Sequence, residues 1–201
     1  MNNDIKVFFD QMAPKWDQVC IHDMDRINRI LTLAGVKKND RVVDVACGTG
    51  ILTQPLLDRG VEEVYAVDLS ENMIAKARSK YNNSRVKFEA LDFLTFEKTG
   101  FDQVIVHNAY PHFLDKQGLV SAISRALKPG GRFVIAHSDG REKINTCHHK
   151  LDVVISEKLR PVDEEAELFC DAFNIDIRID EPDIYLLSGT RKPRWFFNIL
   201  S

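Results

Sequence analysis

The stretch VVDVACGTG, which runs from Val42 to Gly50, decides the fold of this chain. Its apolar run predicts a buried strand that breaks into a glycine-spaced turn, and a helical pattern follows the turn. Glycines at such a turn let the backbone approach a ligand closely, and the start of the next helix offers free N–H groups to an anion. Asp44 places a carboxylate inside the apolar run, so the ligand has to suit both the bare turn and that acid.

Short apolar runs alternate with helical patterns along the chain, which is typical of a parallel sheet with crossover helices. Strands are predicted at 42–46, 63–67, 86–91, 102–107 and 132–137. After residue 160, the runs NIDIRI and IYLLSGT are joined by the turn DEPD and predict an antiparallel hairpin. We therefore predict an α/β fold: a Rossmann-like open sheet of seven strands, mostly parallel, with a C-terminal antiparallel hairpin and helices on both faces. In such a fold the ligand crevice lies outside the carboxyl ends of the strands.

The predicted helices between the strands have recognisable ends. Ser70 caps the helix ENMIAKARSK, and Asp115 caps a helix that the sequence KPGG at 128–131 stops. A helix that carries three leucines precedes Gly60, and another is expected near 163–173.

Length and composition indicate one globular domain of 201 residues, with a helical N-terminal segment over 1–35 and the core sheet over 40–190. The net charge of −3 gives no electrostatic attraction for nucleic acid or an anionic membrane surface. The N-terminus lacks the apolar core of a signal peptide, and the four scattered cysteines fit a reducing compartment. We expect a cytoplasmic monomer or homodimer with a small-molecule partner, without nucleic acid and without membrane insertion.

Two details separate the turn from a dinucleotide fingerprint. That fingerprint has a third glycine or alanine three residues after the second, where this chain has Thr53. Asp44 would repel a pyrophosphate, whereas it would attract an ammonium or a sulfonium group. The turn therefore favours a zwitterionic ligand.

Two further acids lie at the ends of the next predicted strands. Asp68 ends the second strand, where a carboxylate can accept hydrogen bonds from ribose hydroxyls, and Asp92 ends the third, where it can accept from an exocyclic amine. For a single acid, a solvated strand end or a helix cap is an equal alternative. Three acids at three successive strand ends favour a nucleoside site.

These features together resemble the class I S-adenosylmethionine-dependent methyltransferases, of the compact kind similar to ubiquinone and menaquinone biosynthesis methyltransferases. The matching motifs run in family order over roughly residues 8 to 190: FFDQMAPKWD, VVDVACGTG, AVDLSENMI, LDF, FDQVIVHNAYPHF and ALKPGGRFVIAH. The resemblance implies S-adenosyl-L-methionine as the cofactor.

The resemblance also implies a role for each motif. The turn after the first strand and the residues after the fourth face the methionine part, Asp68 faces the ribose, and Asp92 with Phe93 faces the adenine. The implied cofactor-binding residues are Asp44, Ala46, Gly48, Thr49, Gly50, Asp68, Leu69, Met73, Asp92, Phe93, Asn108 and Ala109. In this family the segment that corresponds to Phe8, Phe9 and Trp16 often folds over the cofactor as a lid, and ordinary helix packing is the alternative for these aromatic residues.

Five of the six histidines fall in the segments HNAYPHF and AHSDGREKINTCHHK, which should both border the crevice. We identify His137 and His112 as candidate catalytic residues, acting as a general base or as substrate-orienting groups, since imidazole titrates near neutrality. Loop, cap and surface positions are the plain alternative. A metal site of His112, His137 and His148 is a further alternative, but no carboxylate or cysteine joins them at ligand spacing, so no metal is predicted. Arg141 on the same helix face either binds an anionic acceptor group or is a solvated charge.

The predicted function is methyl transfer from S-adenosylmethionine to a small-molecule acceptor. The alternatives are a non-catalytic protein that binds S-adenosylmethionine or a nucleoside, and an NAD(P)-dependent oxidoreductase, which Asp44 and Thr53 disfavour. Methyl transfer needs alignment and exclusion of water more than covalent chemistry from the protein. The general motifs therefore predict the reaction but not the acceptor.

Overall fold

The computed structural model describes residues 2–148 and 155–193 and contains a seven-stranded sheet with the order β3-β2-β1-β4-β5-β7-β6. The strands are β1 (Arg41–Val45), β2 (Glu63–Asp68), β3 (Val86–Ala90), β4 (Phe101–His107), β5 (Leu127–His137), β6 (Phe173–Glu181) and β7 (Ile184–Arg191). The first five strands pair in parallel, and β7 lies antiparallel between β5 and β6. The predicted open α/β sheet with its C-terminal hairpin is therefore confirmed.

Helices cover both faces of this sheet. They are α1 (Asn2–Met12), α2 (Trp16–Val19), α3 (Met24–Leu33), α4 (Thr53–Asp58), α5 (Glu71–Lys80), α6 (Lys116–Ala126), α7 (Arg141–His148) and α8 (Val162–Glu167). Two predicted caps are present: Ser70 Oγ accepts a hydrogen bond from the backbone N–H of Met73, and the Asp115 carboxylate accepts one from that of Gly118. Within the described ranges, no helix combines the length and the apolar character that crossing a membrane requires.

The sheet buries apolar side chains on both faces, which is why its strands read as near-continuous hydrophobic runs. Val43 and Val45 of β1 belong to a core formed with α6 and α8. Val42 points the other way, into a core formed with α3, α4 and α5. Because side chains alternate along a strand, Asp44 lies on the same face as Val42.

Two element boundaries differ by five residues or more from the sequence prediction, and the other strand boundaries agree within two residues. β5 begins at Leu127, five residues before the predicted start, because the KPGG segment continues as extended chain and Leu127 pairs with Phe101 across a register shift. α8 ends at Glu167 instead of near 173. The chain turns there because Phe169 and Phe173 both pack on Phe133, with ring centroids 4.5 and 4.6 Å away. Tertiary packing overrides the local helical pattern at this point.

Candidate functional site

A cavity lies at the carboxyl ends of the parallel strands, beneath the N-terminal helices. It encloses about 1070 Å³ of empty space, part of it open to solvent. All of the implied cofactor-binding residues line this cavity except Asp44 and Gly50. The turn after β1 and the ends of β2, β3 and β4 therefore meet in one place, as expected for parallel strands.

The turn after β1 has an unusual backbone. Gly48 and Gly50 have φ values of 55° and 88°, and Ala46, which is not a glycine, has a φ of 53°. Asn108, which follows β4 and also lines the cavity, has a φ of 54°. Left-handed backbone is costly for residues with a Cβ, and such strain clusters at ligand sites because the surrounding structure imposes it.

The two glycines of the turn have different roles. A Cβ on Gly48 would have Trp16 Nε1 as its nearest neighbour, at 3.7 Å, so this glycine lies between the sheet and the N-terminal helices. A Cβ on Gly50 would lie 3.0 Å from Tyr81 Cε2 and 3.1 Å from Thr53 Oγ1. Gly50 is therefore required for packing behind the turn. Because it does not line the cavity, the structure does not show the contact with the methionine part that was expected for it.

Asp68 joins the end of β2 to the turn. Its Oδ2 accepts a hydrogen bond of 2.8 Å from the Gly48 N–H, and its Oδ1 accepts one of 2.9 Å from the Ser70 N–H. Burial raises the pKa of this carboxyl to about 6, against the lowering effect of those backbone hydrogen bonds. Each carboxylate oxygen can accept two hydrogen bonds, so Asp68 can hold the turn and still accept from ligand hydroxyls in the cavity.

Asp44 lies behind the turn, does not line the cavity and is 2% exposed. Its Oδ2 has no hydrogen-bond partner among the described residues. Burial, and then the nearby charge of Asp68, raise its pKa from 3.8 to about 8. A buried carboxyl with an unsatisfied oxygen fits a ligand that brings positive charge to the turn. The residues present therefore fit the zwitterionic methionine part of S-adenosylmethionine.

The end of β3 forms an apolar slot. Asp92 Oδ1 accepts a hydrogen bond of 3.0 Å from the Leu94 N–H and so caps the short 3₁₀ turn over Phe93–Thr95. Phe93 is buried and lines the cavity together with Met73. Apolar walls beside a hydrogen-bond acceptor are suited to a flat heteroaromatic base with an exocyclic amine.

The N-terminal helices close the cavity from above. Phe9 of α1 and Trp16 at the start of α2 line it, with ring centroids 5.6 Å apart, whereas Phe8 packs on Phe9 outside the lining. Phe9 and Trp16 therefore form part of the cavity wall, and closure of this segment over a cofactor stays a prediction. We use the name lid for residues 2–19.

Two aspartates hold the lid against the core. The Asp10 carboxylate accepts hydrogen bonds from Ser70 Oγ at 2.6 Å and from the Asn72 N–H at 3.2 Å. The Asp17 carboxylate accepts one from Thr49 Oγ1 at 2.5 Å and pairs with Lys80 at 2.9 Å. The second contact ties the lid directly to the turn after β1.

The structure separates the two candidate catalytic histidines. His112 lines the cavity, donates from Nδ1 to the Ile155 carbonyl oxygen at 2.8 Å and packs its ring edge-to-face against Phe9. His137 is 3% exposed, lies beside Tyr185 with ring centroids 6.1 Å apart and does not line the cavity. The structure therefore does not show His137 at the crevice, where it was expected, because its side chain is buried beside Tyr185 of the neighbouring strand β7.

The helix after β5 does not present the expected polar face to the cavity. Arg141 pairs with Asp180 of β6 at 2.8 Å, and Asn145 exchanges two hydrogen bonds with the backbone of Leu159. Neither residue lines the cavity, and the side chain of His148 lies outside the described residues. Across residues 2–148 and 155–193, no group of three or more histidine, cysteine or acidic side chains is placed to hold a metal ion.

Two histidines that the sequence reasoning did not assign line the cavity instead. His107, the last residue of β4, places Nε2 2.8 Å from Ser138 Oγ. His22 follows the lid, and its ring centroid lies 6.3 Å from that of His107. The position of His107 at a strand end was a usable signal, whereas His22 lies in an irregular segment with no motif to mark it.

Comparisons with known proteins agree with this geometry. A family model described as a methyltransferase domain matches residues 43–135. The malonyl-[acyl-carrier protein] O-methyltransferase of Acetivibrio thermocellus is 31% identical over 179 residues, which are 85% of this chain and 62% of that protein. The demethylmenaquinone methyltransferase of Beutenbergia cavernae is 30% identical over 67% of this chain and 58% of its own length. The chain thus spans about three fifths of the length of these curated relatives.

Solved structures share the fold. A methyltransferase in complex with the Haloferax volcanii Trm112 activator matches 92% of this chain and 98% of its own, with a TM-score of 0.76 and 22% identity. The DhpI complex with S-adenosylhomocysteine matches 96% of this chain and 98% of its own, with a TM-score of 0.75 and 19% identity. The domain match, the curated relatives and the shared fold therefore confirm the resemblance of this chain to the class I S-adenosylmethionine-dependent methyltransferases.

Proposed function

We propose that this protein transfers a methyl group from S-adenosylmethionine to a small-molecule acceptor. The observation that carries the proposal is the buried, unsatisfied carboxyl of Asp44 directly behind a glycine turn that lines the cavity. A sulfonium and an ammonium on one ligand meet that requirement, whereas a pyrophosphate does not. When bound, S-adenosylmethionine supplies an electrophilic methyl group, and its transfer leaves S-adenosylhomocysteine.

Each strand end is assigned to a different part of the cofactor. The turn after β1, with Asn108 and Ala109, receives the methionine part, and Asp44 provides the opposite charge from behind. Asp68 accepts from the ribose hydroxyls, with Leu69 beside it. The adenine is received by Met73, Asp92 and Phe93. The arrangement of these residues around one cavity supports this assignment, which follows the motif order of the family.

The lid and His112 form the remaining boundary. Phe9 and Trp16 cover the cavity and exclude water, which methyl transfer requires more than it requires covalent chemistry. The carbonyl of Ile155 fixes the His112 ring with its proton on Nδ1, so that Nε2 is the accepting nitrogen. We assign His112 to orienting the acceptor. Relatives named for malonyl-[acyl-carrier protein], ubiquinone and menaquinone methylation support transfer to a small chemical group.

Calorimetric titration with S-adenosylmethionine, S-adenosylhomocysteine and NAD tests the cofactor. The first two should bind and NAD should not, because the turn lacks the third small residue and has Asp44 behind it. A screen of thiols, phenols, amines and quinols for S-adenosylhomocysteine release then tests catalysis. Binding of NAD in preference to S-adenosylmethionine would contradict the proposal. Binding of S-adenosylmethionine without turnover on any acceptor would favour a non-catalytic binding protein.

A further inference from the structure

The order of the strands leaves one end of the cavity outside the proposed cofactor contacts. Adenine, ribose and methionine take the ends of β3, β2 and β1, which are consecutive in the sheet. The next strands in the same direction are β4 and β5. β4 ends at His107, which lines the cavity, and Ser138 directly follows the last residue of β5. An acceptor that reaches the methyl group under the closed lid therefore lies at the β4–β5 end.

The ionisable side chains at this end of the cavity are histidines. His22, His107 and His112 line it, and among the described lining residues there is no lysine, arginine or glutamate. The lining aspartates are committed elsewhere, since Asp68 and Asp92 belong to the cofactor contacts and Asp115 caps α6. A carboxylate or a phosphate on the acceptor would find no fixed positive charge among these residues. This end of the cavity therefore favours an acceptor without an anionic group.

His107 is held as a neutral wall of this end. It is 6% exposed, and its Nε2 forms a hydrogen bond with Ser138 Oγ. Asn108 Oδ1 accepts from the Ser138 N–H at 2.9 Å, which fixes the serine in turn. Burial, and then the proximity of His22, lower the pKa of His107 to about 3. His107 therefore stays unprotonated at neutral pH and cannot exchange protons with solvent readily.

His22, unlike the buried His107, is partly exposed. It lies between the lid and α3, whose first turn is anchored by the Asp23 cap and by a 2.7 Å hydrogen bond from Arg26 to the Ser138 carbonyl oxygen. Its ring is only partly buried, so it can pass a proton to solvent. Burial lowers its pKa, Asp17 of the lid raises it and Lys80 of α5 lowers it. The unprotonated imidazole, which can accept a proton, is thus the favoured form at neutral pH.

We propose that His22 is the proton acceptor for an acceptor molecule that has no anionic group and reacts through an O–H or S–H group, with the neutral His107 as the wall of its subsite. This inference rests on the proposed methyl transfer. In the step, the O–H or S–H bond breaks and its proton goes to the lone pair of an imidazole nitrogen of His22. The electron pair of that bond stays on oxygen or sulfur, which becomes the nucleophile. The imidazolium then returns its proton to solvent.

A spectroscopic probe tests the role of His22 as proton acceptor without requiring turnover. The full chain is saturated with S-adenosylhomocysteine and titrated at neutral pH with 4-nitrophenol for the O–H class and benzyl mercaptan, an alkyl thiol that is neutral at this pH, for the S–H class; the ionised forms of both absorb at longer wavelength. The protein should increase the ionised fraction of at least one bound probe. His22→Gln should lower the ratio of ionised to neutral bound probe about tenfold, which corresponds to one pH unit. In His22→Ala, added imidazole should restore the ratio of ionised to neutral bound probe.

Gln18→Ala is the matched control, because Gln18 is exposed and lies four residues before His22 in the sequence. It should leave the probe spectrum unchanged, and S-adenosylhomocysteine affinity should be the same in all variants. Failure of S-adenosylhomocysteine to bind the unaltered protein would overturn the proposed function itself. Binding of S-adenosylhomocysteine with no binding of either probe, or with benzoate bound as tightly as the probes, would overturn the subsite for an acceptor without an anionic group. Equal ionisation in His22→Gln, or loss of cofactor affinity in it, would overturn the role of His22.

Discussion

Replacing Asp44 by Asn tests the charge recognition on which the proposed function depends. Asn has nearly the same size as Asp but cannot ionise. In the empty protein, burial and the charge of Asp68 raise the pKa of Asp44 to about 8, so the carboxyl is mostly protonated at neutral pH. A cation at the turn favours the ionised form. Binding of S-adenosylmethionine should therefore release a proton, and its affinity should rise with pH.

The expected magnitude follows from that pKa. Below about pH 8, each pH unit adds up to about 1.4 kcal/mol, or a factor of about ten, to binding that requires ionised Asp44. The range from about pH 6 to about pH 7 is suitable, because the α-amino group of the ligand stays protonated there, with a pKa of about 7.7–8.0. Breaking a buried charge pair costs about 3–5 kcal/mol, and deprotonation at pH 7 offsets about 1.4 of it. Asp44→Asn should therefore weaken S-adenosylmethionine binding by about 2–4 kcal/mol at neutral pH.

Titration calorimetry in two buffers with different ionisation enthalpies measures both the affinity and the protons released. Adenosine is the control ligand, because it has no ammonium or sulfonium group and should bind Asp44→Asn almost as well as the unaltered protein. Asp68, whose pKa is about 6, affects both ligands alike, since both carry the ribose. Equal losses for adenosine and S-adenosylmethionine would show that Asp44 supports the turn and not the charge. A binding reaction without proton release would refute the reasoning from its pKa.

Three further predictions concern the walls of the cavity. Asp68→Ala should weaken S-adenosylmethionine binding by about 2–3 kcal/mol, the scale of lost hydrogen bonds to a charged group; unchanged affinity in a folded variant, measured by calorimetry, would exclude the ribose contact. Asp17→Ala removes the hydrogen bond from Thr49 and the ion pair with Lys80. Amide hydrogen exchange in α1 should therefore become about tenfold faster or more, and unchanged exchange would mean that these contacts do not hold the lid. His112→Ala should keep cofactor affinity and lower turnover with any acceptor found in the screen, because the acceptor loses a contact that orients it. Full turnover would return His112 to a structural role.

The residues at the strand ends show why much of the site could be predicted from the sequence. Asp68 and Asp92 end apolar runs, and parallel strands bring such ends to the same edge of a sheet. Their presence on one cavity therefore follows from local periodicity together with a general rule of topology. The same rule does not say towards which face of the sheet a strand-end side chain points.

His107 and His137 illustrate that difference. Both end a predicted strand next to the crevice, yet His107 lines the cavity and His137 packs beside Tyr185. The choice depends on strand register and on the antiparallel β7, which pairs with β5 from more than forty residues further along the chain. No local pattern contains that information.

The sequence by itself determined the alternation of strands and helices, the helix caps and the motif positions that line the cavity, because these depend on side-chain periodicity and on contacts a few residues apart. Only the tertiary structure decided how residues 2–19 pack over the cavity and which histidines line it. Asp17 meets Thr49, and His22 meets His107, across long stretches of chain. Such contacts form because burial of the apolar faces brings distant segments together, and the charge, pKa and access of each side chain are set only after that burial.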